Sequence, residues 1–123
     1  MKIKTSELTG HALNYAVILA KTPRAYEGKP SIRDIVVRYP YSTEWAFGGP
    51  IIDRKGIGLL KVRNRLPHQQ WEAGEEGETE TEFWGIVCGP TPLIAAMRCY
   101  VMGELGDEVD VPDELTMLEG VSK

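Results

Sequence analysis

The chain has 123 residues, 42% hydrophobic and 26% charged, with a formal net charge of −4. That length points to one domain with one modest core, and the acidic balance argues against a non-specific nucleic-acid binder, which carries a basic patch. No run reaches the ~18 apolar residues of a membrane span, and the start, MKIKTSELTGHALNYAVILAK, carries no secretory cleavage site, so we expect a cytoplasmic protein whose two cysteines, Cys88 and Cys99, stay reduced and buried.

In chain order, Leu8, Ala12, Leu13, Ala16, Val17, Leu19 and Ala20 recur at helical spacing and predict a first helix over 6–21, stopped by Thr22-Pro23. Residues 22–31 read as a loop. IRDIVVR, 32–38, reads as a short strand. In YSTEWAFGGPIIDR, 41–54, the run Gly48-Gly49-Pro50 predicts a tight turn, with PIIDR giving at most one helical turn. IGLLKV, 57–62, predicts a strand, and Trp71 anchors the mixed segment after it. EAGEEGETETE, 72–82, carries six glutamates that repel one another, so it reads as an exposed, mobile acidic loop before the strand FWGIVCG. The clearest helix is 91–105, with Thr91 as N-cap, Pro92 at its first position and Gly106 ending it. The resulting plan is α+β. One small domain spans 1–123, with two main helices packed on a short antiparallel sheet.

Familiar chemistries find little support. His11 and His68 stand far apart and the cysteines lack ligand spacing, so no metal and no cofactor are expected. There is no nucleophile elbow and no phosphate loop of known type, and no residue is assigned a catalytic role. Glu44 and Asp53, flanking the glycine turn, could serve a nucleotide hydrolase, the least favoured reading. The aromatics Tyr39, Tyr41, Trp45 and Phe47 fall within nine residues, with Arg54, Arg63, Arg65 and Arg98 downstream. Rings for stacking and arginines for phosphate are the usual parts of a nucleotide site. GPTP before the last helix adds free backbone N–H groups near Thr91.

Three separated blocks, YSTEWAFGGPIIDR, GPTPLIAAMRCYV and LGDEVDVPDEL, together resemble the NinX-like family of small phage proteins. The likeness runs from SELTGHALNYAV to VPDEL and leaves the 72–82 segment outside its pattern. The resemblance implies a phage gene product working in the host bacterial cytoplasm. It supplies no activity. By analogy with small accessory phage proteins as a class, countering host defence is the expected task.

These readings converge on a non-enzymatic binder of a small anionic ligand, a nucleotide-derived immune signal held as by a sponge. Trp45 would stack on a base, and Gly48 and Gly49 would admit close backbone approach. Arg54 and Arg98 would take phosphates, and Thr91 would offer its hydroxyl and helix N-terminus. A small chain encloses a pocket more easily at a subunit boundary, so a homo-oligomer is expected. The alternative is a protein–protein inhibitor that meets a basic host factor through the acidic segments 72–82 and 107–114.

Overall fold

The computed structural model describes residues 1–24, 31–76 and 83–118. In order these form β1 (Lys2–Lys4), a 3-10 turn (Thr5–Glu7), α1 (Gly10–Lys21), α2 (Ile32–Arg38), α3 (Trp45–Lys55) and β2 (Ile57–Lys61). A second 3-10 turn (Pro67–Gln69), β3 (Trp71–Glu76), β4 (Phe83–Gly89), α4 (Pro92–Leu105), β5 (Glu108–Asp110) and α5 (Asp113–Leu118) follow.

The α+β plan holds, and α4 is its centre. Thr91 Oγ1 accepts from the Ile94 N–H at 3.1 Å, and Pro92 occupies a first-turn position that needs no donor. Gly106, at φ 92°, lets the chain leave in a conformation other residues rarely adopt. Leu93 and every residue from Ala95 to Tyr100 are buried, so the helix is covered on all sides. β2, β3 and β4 form an antiparallel sheet in that order, and α4 crosses all three strands. α1 and α3 pack on other flanks of α4, while α2 and α5 pack on α1. β1 and β5 pair separately as a two-stranded ribbon.

On the sheet, Ile57, Ala73 and Val87 bury their side chains in the core. Leu60, Glu72 and Cys88 lie opposite one another in register on the other face. An irregularity between Ala73 and Glu75 shifts the register of β3 against β4. β4 is an edge strand, and beside it lie both 3-10 turns.

Four expectations change. The first helix begins at Gly10 rather than at residue 6, because Thr5–Glu7 form a separate 3-10 turn before it. IRDIVVR is a helix, not a strand: Ser31 Oγ accepts from the Asp34 N–H at 3.3 Å, and Ile32, Ile35 and Val36 turn inward at helical spacing while Val37 stays exposed. Its β-branched residues suit either structure, and the cap with the packing face decided. Gly48-Gly49-Pro50 does not turn the chain but runs inside α3, which ends instead at Gly56 with φ 66°. The acidic segment begins as a strand, since β3 takes 71–76 and Ala73 is buried. Its first carboxylate is compensated, Glu72 pairing with Arg65. Residues 77–82 of that expected loop lie outside the described residues.

Candidate functional site

The six residues singled out for binding fall into separate neighbourhoods. Trp45 is the first residue of α3, and half its surface (52%) is exposed, so its ring is neither core nor enclosed. Gly48 is buried where α3 meets α4. A Cβ there would collide with Leu93 Cδ1 and lie 3.1 Å from the Tyr41 carbonyl, so the close approach this glycine permits is to a helix. Gly49 faces open space. Arg54 is exposed near the C-terminus of α3; burial raises the pKa of the Tyr100 phenol, and the charge and hydrogen bond of Arg54 oppose that rise. The Thr91 hydroxyl caps α4. Phe47 meets Tyr39 and Tyr41 edge-on, at 6.2 and 5.7 Å between ring centres. The glycine corner is thus a packing seam with an exposed tryptophan at its start.

Arg98 stands elsewhere. It follows Met97 by about 100° around α4, away from the Gly48 seam, and only 8% of it is exposed. Its Nε donates to the Leu8 carbonyl at 2.7 Å and its Nη1 to the Cys88 carbonyl at 2.8 Å. No carboxylate among the described residues bridges it. Burial lowers the pKa of the guanidinium, while its electrostatic interactions with Cys88 and Glu7 act in the opposite sense. The group remains a cation, because arginine does not deprotonate in proteins.

Arg98 lines a cleft of about 660 Å³ at the β4 edge. One wall is the chain around the first 3-10 turn, with Ser6, Glu7 and Thr9. The other is the second 3-10 turn, with His68 and Gln69. Ile86, Val87 and Cys88 of β4 and Met102 of α4 complete it. Arg65 donates from Nη1 to Cys88 Sγ at 3.0 Å while its Nη2 pairs with Glu72, so this second guanidinium is already engaged. The volume lies within the range of small-molecule sites. A second, smaller cavity of about 100 Å³ lies on the outer face of the sheet, between Leu60 and Ile86.

Of the expected site residues, only Arg98 lines the larger cleft. Glu7, His68 and Cys88 join it from three distant parts of the sequence, which is why local reading misses them. One local signal existed: Arg98 interrupts the apolar run LIAAMRCYV, and a charge there is buried and needs partners. Glu44 and Asp53 sit at opposite ends of α3, nine residues and roughly 14 Å apart along its axis at 1.5 Å per residue. They cannot act together as acid and base on one bond. Cys99 is buried and Cys88 half-buried, and both are free thiols. Among the described residues, no three His, Cys, Asp or Glu side chains gather as a metal site would require. No described helix is long and apolar enough to cross a membrane.

No curated protein matches the chain. The model of the family described as Bacteriophage P22, NinX matches residues 4–104, a stretch that contains both 3-10 turns, the central sheet and all of α4 but its last residue, and the chain belongs to this phage family.

Proposed function

We propose that this phage protein binds a small anionic ligand in the Arg98 cleft and holds it without chemistry, sequestering a nucleotide-derived signal of host defence. The observation that carries the reading is Arg98 itself. A buried guanidinium held by two backbone carbonyls keeps its charge and has no ion-pair partner among the described residues, and such a charge at a cleft wall attracts an anion. Ser6 and Thr9 hydroxyls and the His68 ring offer further hydrogen-bonding groups around it. The cleft is built by one chain, so the reading does not require a second copy.

The protein-inhibitor alternative draws less support. Four of the carboxylates it would use are engaged within the chain: Asp110 and Asp113 hold the Met1 ammonium, Glu114 pairs with Arg33, and Glu72 with Arg65.

A titration of isotope-labelled protein with linear and cyclic nucleotides tests the proposal. Amide shifts are expected at residues 6–9, 68–69 and 86–88, with the nucleotide recovered unchanged. Shifts centred on Trp45 and Arg54 would move the site to α3, and a hydrolysed nucleotide would make the protein an enzyme.

A further inference from the structure

The charges around the cleft restrict what it takes. We infer that the ligand is a singly charged nucleotide of the cyclic mononucleotide class, held by its one phosphodiester on Arg98 and by an amino group of its base on Glu7. This rests on the reading of the cleft as an anion site.

The charged groups facing the cavity set this limit. Arg98 supplies one buried cation. The neighbouring guanidinium, Arg65, is divided between the Glu72 carboxylate and the Cys88 sulfur. Glu7 adds a negative charge to the same cleft, near enough for its field to act on Arg98 yet forming no ion pair with it. Among the described residues lining the cavity, Arg98 is therefore the one arginine or lysine and Glu7 the one carboxylate, with the His68 ring beside them. A ligand with a single negative charge satisfies Arg98. Each further negative charge meets Glu7 with no second arginine or lysine among the described lining residues, and like charges disfavour binding. A dinucleotide or a triphosphate is thereby selected against. Glu7 has its own requirement, since a carboxylate accepts hydrogen bonds and an exocyclic amine of a base donates them. Size agrees, because about 660 Å³ lies within the range of clefts that take drug-sized ligands.

Calorimetry with cyclic AMP, cyclic di-AMP and ATP, on the parent and on Glu7→Gln, tests the inference. Glu7 is exposed and makes no ion pair among the described residues, so the variant is expected to fold like the parent. In the parent, cyclic AMP should bind at least tenfold more tightly than either polyanion. In Glu7→Gln, that gap should narrow severalfold, with affinity for ATP rising. Tighter binding of ATP or cyclic di-AMP by the parent would overturn the inference while leaving the anion site standing. An unchanged gap in the variant would also overturn it, by removing Glu7 from recognition. If none of the three binds and inorganic phosphate shifts no cleft amide, both the inference and the site reading fall.

Discussion

Cys88 and Cys99 show how far position separates two residues of one type. Cys99 faces the core from α4 with 2% of its surface exposed, and burial pushes its thiol up to about 12, with the Glu75 charge adding to the effect. The sign of the consequence is fixed. Above about pH 9 an unfolded cysteine loses its proton, whereas the folded thiol keeps it until about 12. The unfolded state then binds fewer protons, so stability falls as pH rises through that window and is unaffected below it. Urea unfolding of the parent and Cys99→Ala at several pH values should show the parent's lead constant at neutral pH and shrinking from about pH 9 upward. A lead that does not change up to pH 11 would mean that the thiol is not shielded as described.

At the scale of elements, α3 holds the least expected sequence, WAFGGPIIDRK. A proline inside a helix removes one backbone hydrogen bond and crowds the residue before it, which normally avoids the helical region. Gly49 is that residue here, and without a Cβ it tolerates the position. Gly48 has a different reason, the close contact with Leu93 and Met97 of α4. The two glycines should therefore respond differently to alanine. Gly48→Ala should destabilise by about 1–3 kcal/mol through overpacking. In an open helical position, Gly→Ala gains about 0.5–1 kcal/mol. For Gly49 that gain should be suppressed beside Pro50 and recovered in the Pro50→Ala background. A double-mutant cycle by chemical denaturation reads this coupling directly. Additive effects would show that Gly49 owes nothing to the proline.

Across the whole molecule, Arg98 ties layers together as well as lining the cleft. From α4 it reaches the Leu8 carbonyl, between the first 3-10 turn and α1, and the Cys88 carbonyl on β4. Arg98→Ala should leave both carbonyls without these donors, at about 1–3 kcal/mol for each group that stays buried. Arg98→Lys should fall between the parent and Arg98→Ala, since an ammonium keeps the charge but lacks the guanidinium fork. Denaturant unfolding of the three proteins checks the order. If Arg98→Ala matches the parent, the two hydrogen bonds contribute nothing and the residue serves only the cleft.

Local chemistry alone determined a good part of this protein. The cap at Thr91 with Pro92, the apolar face of α1, and the strands IGLLK and FWGIVCG were all legible, because each depends on neighbours a few residues away. The α+β class followed from their sum. Tertiary contact decided the rest. IRDIVVR has the composition of a strand and became a helix because Ile32, Ile35 and Val36 had α1 to pack against. Gly48-Gly49-Pro50 has the composition of a turn and stayed helical because α4 needed a surface without side chains at Gly48. The cleft lies furthest from local reading. Glu7, His68, Cys88 and Arg98 come together only when the sheet edge closes against both 3-10 turns, and no spacing along the chain encodes a wall built from four separate segments.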